Sequence, residues 1–404
     1  MEKILLAQIP HATRYGKVPT VEYGVQQAKN VRAFHKTLPG YAVTPLVNLS
    51  RLAVSLGIKD IYIKDESKRF GLNAFKGLGG SYAVAREIAK RLFLDPAKLT
   101  FAEIVSPAAK DRVGTLTFIT ATDGNHGRGI AWIASLLGHK ALVYMPKGSS
   151  LERLHNIQAF GAEAYITDLN YDDAVRFANR TAEESSGIVV QDTSWEGYEE
   201  VPRHIMQGYT TMLLETVEQL GDVRPTHVFL QAGVGAMSGA ATCFLADYYK
   251  EQRPVITIVE PSKADCVYRT AKAGDGKLHK VGGPLDSIMS GLCCGEPCSL
   301  GWEKLSAYAD NFISMPDEVA ALGMRILASP LIGDGAVVSG ESGAAGFGLA
   351  MAALRDSGLA WLKEKLGLNK DSVILCISTE GDTDVANYRR IVWEGAWPWV
   401  NFGK

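Results

Sequence analysis

Lys76 stands in the stretch FGLNAFKGLGGSY, between a phenylalanine and a glycine-rich run, just ahead of an alanine-rich segment with helical spacing, SYAVAREIAKRLF. Apolar surroundings favour the neutral amine over the ammonium, and a neutral amine is a nucleophile. Lys64 and Lys68 lie nearby in the polar run KDESKRF, which reads as a solvated stretch. Three further stretches present polar groups where a strand ends. TATDGNHGRG crowds Asp123, Asn125 and His126 among glycines. It reads either as the cap of a following helix or as a polar group of fixed geometry aimed into a cleft. AGVGAMSGAA spaces Gly233, Gly235 and Gly239 between a strand and a helix. Glycine lets backbone approach an anion closely, and the helix start offers unpaired N–H groups, so this is a phosphate site or a tight turn. STEGDTD offers a hydroxyl from Ser378 or Thr379.

The elements that must position these groups alternate. TLTFIT precedes GIAWIASLLG, KALVYM precedes SLERLHNIQAFG, and AEAYIT precedes YDDAVRFANRTAEE. THVFLQAG, VITIVE and SVILCIS extend the series, and Gly138 and Gly161 fall where helix C-caps are expected. Nearly continuous apolar strands alternating with helices predict an α/β fold with parallel sheet covered on both faces. Ligands in such folds sit at strand C-terminal ends, where all these loops fall.

The 404 residues are 47% hydrophobic and 21% charged with a net charge of −2, enough for two compact units and a large core. Balanced charge favours neither nucleic acid nor an anionic membrane as partner. No apolar run reaches the ~18–20 residues that span a bilayer, and MEKILLAQIP has no basic flank or cleavage site. A soluble, cytoplasmic protein is expected. Cys293, Cys294 and Cys298 in GLCCGEPCSL lack the paired spacing and the histidine of a zinc site. They read as small thiols of a tight loop, with a local disulfide to Cys266 left open. The loop at 233–239 also allows a dinucleotide site with Glu260 as the ribose acid. Against that dehydrogenase stand Pro261 directly after Glu260, the loop's place past the chain's midpoint, and an unexplained Lys76.

Lysine in NAFKG, asparagine in TDGNHG, the glycine loop and the C-terminal hydroxyl, in that order, resemble the β family (fold type II) of pyridoxal-phosphate enzymes. That family includes serine/threonine dehydratases and tryptophan synthase β chains, and the resemblance runs from TPLVNL at 44 to STEGDTD at 378. It implies two α/β domains with mostly parallel sheets and pyridoxal 5'-phosphate in the cleft between them. Residues 1–85 with 195–404 are expected to form the large domain and 86–194 the small one. It implies that Lys76 condenses with the cofactor aldehyde and, once displaced, takes the α proton. Asn125 would bond the ring's phenolic oxygen, and Gly233, Val234, Gly235, Ala236, Met237 and Gly239 would hold the phosphate. Thr379, or else Ser378, would meet the ring nitrogen. A hydroxyl does not force that nitrogen to stay protonated, which suits elimination at Cβ. A homodimer acting on a small amino acid, with no metal, is also implied.

Asp123 and Ala74 depart from the dehydratase pattern, which carries small residues before GNH and serine in SFK. A carboxylate there opposes the substrate's own carboxylate unless the substrate has a second cation. Asp192, in QDTSWEGY, is a second such acid. With these features the stretches resemble the diaminopropionate ammonia-lyase family, which implies conversion of D- and L-2,3-diaminopropionate to pyruvate and two ammonia. Lys76 would serve the L isomer and Asp123 the D isomer, with Asp192 and Thr122 binding substrate. A serine/threonine dehydratase is the alternative; a nicotinamide dehydrogenase and a silent amino-acid sensor are more distant.

Overall fold

The computed structural model describes residues 3–9 and 18–401. Among the described residues, eleven strands form two sheets. In chain order they are β1 (Leu5–Gln8), β2 (Leu46–Asn48), β3 (Asp60–Asp65), β4 (Thr117–Ala121), β5 (Lys140–Met145), β6 (Glu163–Ile166), β7 (Ile188–Val189), β8 (His227–Gln231), β9 (Val255–Pro261), β10 (Asn311–Met315) and β11 (Val373–Ser378). The larger sheet has the order β1-β10-β9-β8-β11-β3-β2, and the smaller β6-β5-β4-β7. The smaller sheet is parallel throughout, whereas the larger is antiparallel only at its edges, β1 with β10 and β2 with β3. Strands β8, β10 and β11 are buried at every position, the pattern of a sheet covered on both faces.

The expected strands thus form, and the short edge strands β1, β2 and β7 join them. Gly138 caps the helix Asn125–Leu137 in the left-handed conformation at φ 69°. Gly161 lies three residues past the end of the helix Leu151–Gln158 and donates to the Gln158 carbonyl at 2.8 Å. One expected boundary does not fit. A break at 85/86 would cut the continuous helix Lys76–Leu92, in which Val84, Ala85, Ile88 and Ala89 are all buried. Its apolar periodicity runs unbroken to Phe93, which ends it at φ 57°.

That helix is pressed between two others. Opposite Gly208, in the helix Glu200–Leu220, a Cβ would come within 2.5 Å of the Leu78 carbonyl oxygen. On the other side a Cβ at Gly129 would lie 3.1 Å from the Gly77 nitrogen. Only hydrogen fits at these two crossings, so glycine fixes the start of the lysine helix against the helix that begins at Asn125.

KDESKRF is not solvated as a whole. Lys64 is fully buried, donating to the Thr44 carbonyl (2.8 Å), Glu215 (3.0 Å) and Gln219 (2.7 Å). Arg69, also buried, bridges Glu66 and Glu215. The run balances its charges internally and with Glu215, which lies some 150 residues further on, so local sequence could not show the burial. Lys68 alone matches the expectation of exposure.

Candidate active site

One cavity gathers Lys76, Thr122, Asp123, Asn125, Asp192, Gly233 to Met237 and Thr379, all at or beyond strand C-termini or helix starts. Phe75 donates its N–H to the Thr379 carbonyl (3.0 Å) and Ala74 bridges Glu380, so the segment before Lys76 is pinned to the end of β11. Lys76 is the first residue of its helix, where the partial positive charge of the helix N-terminus opposes an ammonium.

Burial was expected to drive this amine toward neutrality. Burial does act in that direction, but the Asp192 carboxylate touches Nζ, and with Tyr209 and Asp123 it outweighs burial and holds the ammonium above its ordinary range. Asp192 is buried as well; burial raises its carboxyl, and Lys76 and His126 prevail and keep it ionised below the usual range. Tyr171 Oη and Gln191 Nε2 each approach Asp192 Oδ1 at 3.3 Å. Its partner in this structure is therefore Lys76 rather than a free space awaiting a distal substrate ammonium. His126 lines the cavity too: Nε2 lies 2.7 Å from the Val190 carbonyl, Nδ1 is buried without a hydrogen-bond partner, and burial keeps the ring below its usual range.

Asp123 does not cap the following helix. Gly124 occupies the cap position without a side-chain bond, and Thr122 Oγ1 instead accepts from the Gly124 N–H at 2.9 Å. The Asp123 carboxylate turns to Arg153, whose Nη1 donates to Oδ2 at 2.9 Å. Asn125 Nδ2 donates to Glu380 Oε2 at 2.5 Å. Thr379 Oγ1 accepts from Gln231 Nε2 at 2.8 Å, which leaves its own O–H to donate elsewhere.

Two expected site residues are absent from the cavity lining. Ser378 turns away and donates to Ser339 Oγ at 2.7 Å, because successive residues of a strand point to opposite faces. Gly239 lies a full turn into the helix Ala236–Tyr249, where a Cβ would come within 2.8 Å of Gly301. It serves helix packing. Glu260, the candidate ribose acid, is fully buried and accepts the N–H groups of Val267 (2.9 Å) and Tyr268 (2.6 Å). It caps a helix and is not among the residues that line the site cavity. The six cysteines are free thiols, and Cys294 lines the site.

Sequence reasoning missed Arg153, Glu380, Ser290, Gly291 and Ser342. Arg153 sits in an ordinary amphipathic helix and gives no local signal. Ser342 had one: SGESGAAG is a second glycine- and serine-rich turn leading into an apolar helix.

The chain matches the family model "Pyridoxal-phosphate dependent enzyme" over residues 37–380 and belongs to that family. Diaminopropionate ammonia-lyase of Escherichia coli (strain K12) is 52% identical over 376 residues, 92% of this chain and 93% of the relative. Two crystal structures of the Escherichia coli enzyme, each covering 98% of both chains at 49% identity, superpose with TM-scores of 0.91 and 0.89. The first is a complex with D-serine, the second a complex with an aminoacrylate-PLP azomethine reaction intermediate. At this likeness the chain belongs, within the wider class, to the diaminopropionate ammonia-lyase family.

The residues present fit that cofactor. The N–H groups of Gly233, Val234 and Gly235 meet no protein acceptor among the described residues, and those of Ala236 to Ser238 form a helix's open first turn. The Ser342 Oγ is buried at the cavity wall with no hydrogen-bond partner. A side chain at Gly233 would press on Leu292 and Cys294, both lining the cavity.

Proposed function

We propose that the protein carries out α,β-elimination on 2,3-diaminopropionate, in both D and L forms, giving pyruvate and two ammonia. The observation that supports this most is the pairing of one lysine with two carboxylates, Asp123 and Asp192, in a single cavity beside an open helix N-terminus. Pyridoxal 5'-phosphate, when bound, supplies the electron sink that eases loss of the α proton and departure of the β amine.

The remaining work falls to the chain's own groups. Lys76 Nζ is the attachment point and, once free, the acceptor of the α proton from the L isomer. It must first shed a proton, which the ionised Asp192 in contact with it opposes, so this pair has to open before the amine can act. Asp123 is the acceptor for the D isomer. Gly233 to Met237 would hold the phosphate. Asn125, its amide fixed by Glu380, has a second N–H to offer the ring's phenolic oxygen. Thr379, whose acceptor side Gln231 already occupies, would have its O–H free to donate to the ring nitrogen. Once the cofactor takes up Lys76, Asp192 would be left without its cation and able to meet a substrate's extra ammonium, and the aminoacrylate released hydrolyses in water.

Asp123→Asn tests the two-base arrangement. A positioned general base contributes roughly 10²–10⁴-fold, so turnover of the D isomer should fall by at least ~10²-fold while the L isomer is spared far more. Equal losses would reject it. Serine and threonine assayed in parallel separate this reading from a dehydratase. The proposal extends to a homodimer, as the family resemblance implies, and to a cytoplasmic place, as the balanced charge suggests; among the described residues no helix is long and apolar enough to cross a membrane. A single-chain mass in solution would remove the dimer.

A further inference from the structure

We infer that Arg153 is a positioning residue that acts on the D isomer alone, by holding Asp123 so that one carboxylate oxygen is fixed and the other is free to take a proton. The inference rests on the proposed role of Asp123. Asp123 and Arg153 rise from neighbouring parallel strands, Asp123 directly after β4 and Arg153 on the helix Leu151–Gln158 that follows β5. The Arg153 side chain is 6% exposed, and its Nη1 donates to Asp123 Oδ2 at 2.9 Å. Asp123 Oδ1 accepts no hydrogen bond among the described residues, so the pair divides the carboxylate into a held atom and an open one.

The loop is shaped to this contact. Gly124, next to Asp123, has φ 158°, and a Cβ there would stand 2.9 Å from Arg153 Cδ and 3.3 Å from its Cβ and Cγ. The aliphatic stem of the arginine therefore occupies the space a side chain at 124 would need. The guanidinium also reaches the other layer, donating to Ser290 Oγ and, through Nη2 at 3.3 Å, to Thr383 Oγ1. It is thereby tied to three separate loops, which restricts where Oδ2 can sit. In the reaction the α proton of the D isomer passes to Asp123 Oδ1, the C–H electron pair becomes the Cα–Cβ double bond, the Cβ–N pair departs with the β ammonium nitrogen as ammonia, and Arg153 neither gains nor loses a proton.

The test uses the cofactor-loaded enzyme and both stereoisomers. Arg153→Met should lower kcat for the D isomer by at least ~10-fold and leave the L isomer within about 3-fold, with Arg153→Lys recovering part of the loss. With α-deuterated D substrate, the isotope effect on kcat should rise in Arg153→Met, because proton transfer becomes slower relative to other steps, while the effect for the L isomer stays constant. Thr383→Val removes one of the inter-layer contacts and spares the pair with Asp123, so its D-to-L ratio should remain that of the parent. Equal loss on both isomers in Arg153→Met, no recovery in Arg153→Lys, or the same ratio change in Thr383→Val would make Arg153 a brace and overturn the inference. Asp123→Asn keeps the two ideas apart: if it discriminates between isomers while Arg153→Met does not, the inference alone fails. If Asp123→Asn does not discriminate, the two-base reading fails first.

Discussion

Asp192→Asn in the cofactor-free protein isolates the ion pair at the centre of the site. Both partners are largely out of water, with side-chain exposures of 19% for Lys76 and 5% for Asp192. Asp192 is depressed below its usual value, so its stabilisation is present above about pH 4 and lost on further acidification through the folded value. Lys76 is raised above 10.5, so its share is present at any pH below that and lost only as the solution becomes more alkaline than the folded value. The pair is therefore fully formed across the neutral range. Replacing the carboxylate strands an ammonium against apolar neighbours, which costs about 3–5 kcal/mol if the charge persists. The amine can instead lose its proton, at about 1.36 kcal/mol per pH unit below 10.5. That escape costs about 6 kcal/mol at pH 6 but only about 1.4 kcal/mol at pH 9.5. The smaller penalty applies at each pH. With an unfolding entropy of about 2.1 cal/mol/K per residue over 404 residues, these become a Tm loss of about 4–6 °C at pH 6 and about 2 °C at pH 9.5. Differential scanning calorimetry at the two pH values reads both. A loss of equal size at each pH, or none, would refute the claim that Asp192 holds a charged Lys76.

Two further substitutions sort residues whose roles the structure reassigns. Gly239→Ala places a methyl within 2.8 Å of Gly301, so Tm should fall by an amount equivalent to about 1–3 kcal/mol while cofactor affinity, read by fluorescence titration, stays constant. Weaker affinity with an unchanged Tm would return Gly239 to the phosphate cradle. Thr379→Val removes a donor to the cofactor and one of the two acceptors of Gln231 Nε2, leaving the Ile377 carbonyl, and should weaken cofactor binding about 10-fold, or about 1.4 kcal/mol. Ser378→Ala should leave that affinity alone; the reverse ranking would exchange the two hydroxyls.

Much of the architecture was legible because local signals agree with the global fold. The apolar runs TLTFIT, KALVYM and SVILCIS become parallel strands, and Lys76, Asn125 and the start of the glycine loop meet in one cavity after their strands end. The illegible parts depend on side-chain direction or on distant partners. Ser378 and Thr379 are equivalent as a polar turn, and only the strand's two-residue period decides which faces the site. Glycine spacing at 233–239 cannot tell a phosphate contact from a helix crossing, because both need a missing Cβ. The charge state of Lys76 depends on Asp192, 116 residues later, and reverses what burial alone would give. Arg153 looks like any helix-surface arginine until β4 and β5 are paired.

Borohydride reduction of the cofactor-loaded protein, followed by peptide mapping, tests the central claim most directly. The account predicts a single modified peptide, the one containing Lys76, with no modification in Lys76→Ala. A modified peptide carrying another lysine, the buried Lys64 included, would contradict it.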